Sequence, residues 1–158
     1  MDQGNSAGSA GKSIGASHAV VIDKPLPYGR PLTLVEAKRI MAAAEARALA
    51  QAWPVAIVLV DAAAGVVLAQ KLDNTQHSAL AIATGKAQTA VNFRRPTKMF
   101  QDGIGAGDGL RFLAVPGVTP LEGGFPLLVD GAIIGGIGVS GVLSTQDTEV
   151  ALAGMAAP

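Results

Sequence analysis

The dipeptide Asp130-Gly131, set between the apolar runs 125–129 and 132–139, constrains the fold more than any other feature of the chain. Asp-Gly suits the positive φ values of a two-residue turn, so the two runs are expected to pair as an antiparallel hairpin. Gly135, Gly136 and Gly138 interrupt the second run. Side chains are missing there, which permits close approach of a helix, a neighbouring subunit or a ligand. A second hairpin precedes it. Residues 55–60 are apolar on both alternating faces, as in a central strand covered on both sides. Residues 61–65 then turn the chain, and 66–72 return as its partner.

Helical patterns separate the hairpins. Thr33 and Glu36 have the spacing of a capping box, in which a hydroxyl and a carboxylate satisfy free amides at a helix start. Ala37, Ile40, Met41, Ala44, Ala48 and Ala52 follow as an inner stripe of mostly small residues, and Pro54 stops the helix. A second helix is expected over about 76–94, ended by Pro96. Residues 103–109, rich in glycine, read as a flexible loop; their spacing does not match a dinucleotide-binding turn and no strand precedes them. Ser144 or Thr145 can cap a last helix running through Val150 and Ala153. This order specifies an α+β domain, an antiparallel sheet of about five strands flanked by helices.

Residues 1–18 are rich in Gly, Ser and Ala and read as a flexible N-terminal arm or an expression remnant, leaving 19–158 as a single domain. Gly11-Lys12-Ser13 imitates the end of a phosphate loop, but the earlier glycine of that motif is replaced by Ser6. Residues 19–31, with Pro25, Pro27 and Pro31, suggest an extended piece lying against the domain or a neighbouring subunit. An inter-subunit role for this piece and the glycine-rich strand would give a homo-oligomer, covering apolar surface that a small monomer leaves open.

Composition excludes several functions. Twelve basic residues balance twelve acidic ones, giving no global attraction for nucleic acid or an anionic membrane. With no cysteine, thiolate catalysis, disulfides and Cys-ligated zinc are excluded, and His18 and His77 cannot make a His-rich metal site. The start of the chain lacks a secretory pattern, and no apolar run approaches the ~20 residues that span a bilayer. The expectation is a soluble cytoplasmic protein.

Chemistry concentrates on the second helix. At about 100° per residue, Ala79, Ile82, Ala83, Ala90 and Phe93 share one face, and Lys86 falls near its middle. Either the lysine stem lies along the core edge with its ammonium in water, or the ammonium meets an anion in a crevice. Lys86, Arg94, Arg95 and Lys98 bring four cations into thirteen residues. The arginines can complement a helix dipole, or they can edge an apolar pocket whose ligand carries carboxylates. A desolvated Lys86 would also suit proton transfer on a small carboxylate or carbonyl compound, as in an isomerase or tautomerase. Asp61, Asp73 and Asp130 read as turn residues, and Ser140 stands outside the nucleophile-elbow pattern.

Six ordered pieces, residues 32–37, 58–61, 85–90, 95–97, 123–126 and 137–141, carry a resemblance to the GlcG/HbpS-like family, the haem-degrading domain family. That family includes the C-terminal domain of PduO-type cobalamin adenosyltransferases. The resemblance covers about residues 32–157 and implies a profilin-like domain and a homo-oligomer. In some members it also implies haem binding or haem breakdown, beside catabolic genes or as an assembly partner of corrinoid enzymes. It places Lys86 and Thr89 foremost at a ligand site, with Arg94, Arg95 and Thr97 as further candidates; Lys86 is also the catalytic candidate, on the separate ground of its desolvation. No axial histidine is evident, since His77 lies off the apolar face. Thr89 would be a weak iron ligand beside the usual His, Cys, Tyr or Met sets. Any haem bound here is then expected to be labile and oriented mainly by contacts of Lys86 and the arginines to its propionates.

Overall fold

The computed structural model describes residues 24–157. Helix α1 (Leu34–Ala50) leads into the hairpin β1 (Ala56–Asp61) and β2 (Val66–Lys71). Helix α2 (Ala79–Asn92), helix α3 (Lys98–Ala106) and a 3-10 turn (Leu110–Ala114) come next, followed by the hairpin β3 (Gly124–Val129) and β4 (Ala132–Ser140) and by helix α4 (Ser144–Met155). The strands are antiparallel in the order β2-β1-β4-β3. The residues 1–18 assigned to an arm, His18 among them, and the first part of the extended piece, 19–23, lie outside the described residues.

The two-residue period of β1 sorts its side chains between two cores. Ile57 and Leu59 pack with Met41, Ile137 and Val150 against α1 and α4, whereas Ala56, Val58 and Val60 pack with Ala83, Ala87 and Val91 on α2. Both faces are therefore covered, as the unbroken apolar run of β1 requires. Each fully buried Ile, Leu or Val contributes about 1.5–3 kcal/mol. The β4 glycines admit α2. A Cβ at Gly138 would collide with the carbonyl oxygen of Ala83, and one at Gly136 would lie 2.7 Å from Val91. Helix backbone thus sits directly on strand backbone.

Local signals resolve as their chemistry requires. The Thr33 hydroxyl accepts the Glu36 amide while the Glu36 carboxylate accepts the Thr33 amide. Asp61 accepts the amides of Ala63 and Gly65, and Asp130 and Gly131 both have positive φ.

Four readings change. The described residues form four strands rather than about five. On the β1 side of β4, beyond the end of β1, residues 27–32 instead bind through the Gly29 and Leu32 amides, the Pro27 carbonyl and one parallel bridge at Tyr28. This part of the extended piece lies against its own domain. The second helix is shorter than expected, since Ala79 starts it and Phe93 already leaves it. Residues 103–106 belong to α3 rather than to a loop, because Phe100 anchors that helix by edge-to-face contacts with Phe93 and Phe112. Neither Ser144 nor Thr145 caps α4; the Gln146 side chain accepts the Leu143 amide and Asp147 accepts that of Val142.

Strand β3 lies at an edge of the sheet, yet offers little for another strand to join. Its register directs the backbone groups of Gly124 and Pro126 outward. Thr97 occupies those of Gly124, and Pro126 has no amide proton to offer. Among the described residues, no helix is long and apolar enough to cross a membrane.

Candidate functional site

Alanines on either side of Lys86 let α2 press onto β4 and carry the lysine inward. Lys86 is 1% exposed, and its Nζ donates to the Val139 carbonyl at 2.7 Å and to Asp147 Oδ2 at 2.8 Å. The ammonium therefore does not reach water. It meets an anion, but that anion is a carboxylate of the same chain, delivered by the first turns of α4. Gly123, at φ 116°, closes over the pair; a Cβ there would lie 3.0 Å from the Lys86 nitrogen. Burial pushes the Lys86 ammonium below its ordinary pKa, and attraction to Asp147 opposes that shift. Burial likewise pushes the Asp147 carboxyl up, with Lys86 opposing.

Thr89 and Thr97 are also engaged within the chain. The Thr89 hydroxyl accepts the Thr119 amide at 2.8 Å and donates to the Gly117 carbonyl at 3.3 Å. Gly85, one turn earlier, leaves room for the Thr119 side chain. The Gly85–Thr89 spacing is thus a seat for the 117–119 loop. Thr97 accepts the Gly124 amide at 2.9 Å and fastens the start of β3 to the α2–α3 junction. Among the described residues, no buried side-chain polar atom lacks a partner.

The four cations consequently separate. Lys86 is internal, and Lys98 is exposed on α3, bonded to Asp102 at 2.8 Å and 3.9 Å from Glu122. Arg94 and Arg95 line a different place, where α2 ends. Arg94 adopts φ 57°, its guanidinium 4.5 Å from the Tyr28 ring centre and donating to the Leu26 carbonyl. Arg95 donates to the Phe93 carbonyl and lies 5.9 Å from the Phe100 ring centre. Between them and β3 opens a cavity of about 300 Å³, walled by Leu26, Pro96, Met99, Phe125, Leu128 and Met155. Its lining is almost wholly apolar, with Arg94 and Arg95 among the residues that border it. A wider cleft of about 490 Å³, beside Trp53 and Asp73, contains none of the expected site residues.

Asp147, Glu122 and the two methionines were not singled out by sequence reasoning. Asp147 carried a usable signal, because Val150 and Ala151 place it on the inward face of α4. Met99 and Met155 carried none, since only the fold brings them together. His77 is exposed, and among the described residues no cluster of three or more His, Cys, Asp or Glu side chains could hold a metal ion.

Comparison with known proteins agrees with this architecture. Residues 32–156 match the family described as "Haem degrading protein HbpS-like". Protein GlcG of Escherichia coli K12 is 38% identical over 104 residues, covering 66% of this chain and 77% of that protein. The crystal structure of a PduOC:heme complex superposes with a TM-score of 0.75 at 29% identity, covering 81% of this chain and 95% of that one. A double mutant of Streptomyces reticuli HbpS superposes with a TM-score of 0.74 at 28% identity, covering 94% and 97%. With that match extending from the capping box of α1 to the end of α4, the chain belongs to the HbpS-like family.

Proposed function

We propose that this protein binds haem or a related tetrapyrrole in the apolar cavity edged by Arg94 and Arg95. The observation that carries the reading is an almost wholly apolar cavity with two arginines, Arg94 and Arg95, among the residues that border it. A tetrapyrrole has a matching division, a flat apolar ring with carboxylates on one edge. Guanidinium–carboxylate bonds are directional and charge-assisted, so they orient such a ligand as well as attract it. At about 300 Å³ the cavity is at the lower limit of ligand sites, typically about 300–1,000 Å³. It would cover part of the macrocycle and leave the rest at the surface. The haem relationship of PduOC and the family description support the same choice of ligand.

Bound haem would supply redox-active iron, the chemistry that haem breakdown needs. The chain's own residues supply binding and orientation. Thr97 holds the start of β3 against the α2–α3 junction, and Lys86, through Asp147, holds α4 against α2. In this reading Lys86 and Thr97 keep the walls in place, Thr89 seats the 117–119 loop, and Arg94 and Arg95 touch the propionates. Catalysis by Lys86 on a small carbonyl compound would use its lowered pKa. Its two internal bonds and near-complete burial argue for the structural role instead.

Titration of the apo-protein with haemin, followed at the Soret band, tests the proposal. Saturable binding is expected, and Arg94→Ala with Arg95→Ala should weaken it by about tenfold or more, the scale of one lost charged hydrogen bond. The haemin dimethyl ester should bind with no sensitivity to those substitutions. Absence of a saturable change with the unaltered protein would reject the proposal.

A further inference from the structure

The wider cleft of about 490 Å³ lies at the β2 edge of the sheet, the edge opposite the arginine-bordered cavity beside β3. One wall is α1, where Glu45, Leu49 and Ala52 recur at helical spacing along one face. The other is the end of β2 and the turn after it, from Gln70 to Asn74. Gln70 alternates with Leu68 and Leu72, which pack in the core that α1 covers, so its side chain is directed to the α1 side of the sheet. Trp53, on the link from α1 to β1, completes the lining. The chain reaches it through Ala52 at φ 54°, and the Trp53 amide bonds the Ala48 carbonyl at 2.9 Å, which fixes where the indole leaves the backbone. Unused hydrogen-bonding capacity sets this cleft apart. Glu36, Arg94 and Arg95 are each bonded within the chain at the cavities they border. By contrast, among the described residues no hydrogen bond or ion pair engages the side chains of Glu45, Trp53, Gln70, Lys71, Asp73 or Asn74. Trp53 is the telling member, because an indole N–H that is buried ordinarily finds an acceptor. Among the described residues no buried side-chain polar atom lacks a partner, so the N–H of this partly buried tryptophan is open to an incoming group.

We propose that this cleft binds a neutral polyhydroxylated ligand, a sugar or a similar polyol. Its free groups divide into acceptors, donors and groups that are both: two carboxylates accept, the Lys71 ammonium and the indole N–H donate, and the Gln70 and Asn74 amides do either. A hydroxyl group also does either, so one ligand rich in hydroxyls matches the whole set. A carboxylate ligand would be repelled by Glu45 and Asp73, and an organic cation would meet Lys71. The apolar part of the lining suits the same class. A sugar ring presents a face of C–H groups that can lie on an indole and on neighbouring aliphatic side chains, here Leu49 and Leu72. The volume falls within the range of about 300–1,000 Å³ typical of small-ligand sites. Cleft and cavity share no lining residue, so this inference stands apart from the tetrapyrrole reading.

Trp53 is the single tryptophan of the chain, so its fluorescence reads this cleft directly. The full chain is titrated through the millimolar range with glucose, maltose and myo-inositol, and with choline and glycine as a cation and a zwitterion. A saturable change in emission is expected with at least one of the three hydroxylated probes. Asp73→Ala and Gln70→Ala should each weaken that binding by about three- to tenfold, the scale of one lost hydrogen bond. Both positions lie at the end of an edge strand, and thermal unfolding of the variants confirms that the fold is kept. Calorimetry with Trp53→Leu, which has no emission to follow, should show a loss of about tenfold or more. No saturable response to any of the hydroxylated probes, or saturation by choline or glycine alone, would overturn the proposal. So would a sugar response that neither Asp73→Ala nor Gln70→Ala alters, since the ligand would then lie elsewhere.

Discussion

Lys86 on α2 and Asp147 on α4 meet at 2.8 Å across the end of β4, with their side chains 2% and 3% exposed. The pair joins the helix on one face of the sheet to a helix on the other. A third contact, from Nζ to the Val139 carbonyl, fixes it to the strand between them. Desolvation makes such a pair weak evidence for net stability but makes each member dependent on the other.

Removing one partner should therefore be far more damaging than removing both. Lys86→Met or Asp147→Leu alone is expected to cost about 3–5 kcal/mol, because each strands a buried charge. The double substitution should recover most of that loss. Urea unfolding of the three variants measures the coupling. Additive losses would show that the charges are independently solvated, contrary to their burial.

The start of α1 should carry an acid-sensitive contribution. Hydrogen bonds from Arg30 and then from Thr33 hold the Glu36 carboxyl well below its ordinary pKa of 4.5. A depressed folded-state pKa contributes stability above the unfolded value, and that contribution is lost as pH falls through the folded one. Glu36→Gln should thus lower Tm at pH 7, and its difference from the unaltered protein should shrink progressively below about pH 4.5. Added salt should reduce the pH 7 difference, since the Arg30 partner is exposed. A pH-independent difference would contradict the assignment.

Residues 27–31 should matter to the domain itself. They supply the Pro27 carbonyl to the Ile133 amide, receive the Ile133 carbonyl at Gly29, and place Tyr28 against Arg94. A chain beginning at Leu32 is expected to lose at least about 1–3 kcal/mol, because it removes two backbone bonds, the hydroxyl bond of Tyr28, the Leu26 carbonyl that Arg94 bonds and the Arg30 partner of Glu36. Chemical denaturation reads the loss, and light scattering of both forms shows whether assembly changes with it. Unaltered stability after truncation would mean that this segment contributes no net free energy to the fold.

Features that depend on near neighbours along the chain are legible in the amino-acid sequence alone. Thr33 and Glu36 announce the start of α1, Asp130-Gly131 turns the second hairpin, and the unbroken run of β1 requires cover on both faces, because each is decided by local backbone geometry or by a two-residue period. Lys86 stands out as anomalous, a charge in the middle of an apolar face. Its explanation is not local. Asp147 lies 61 residues away and reaches Lys86 only because β4 returns the chain beside α2 before α4 begins. The same holds for the candidate ligand cavity. Sequence places Arg94 and Arg95 at the end of a helix, where a dipole partner or a ligand clamp is equally acceptable. Leu26, Phe125 and Met155 come from three distant segments, and concavity exists only where packing leaves space between them. Pattern and capping therefore determined which elements form and which faces they bury. Long-range packing decided which charges are neutralised internally and which border an open apolar cavity.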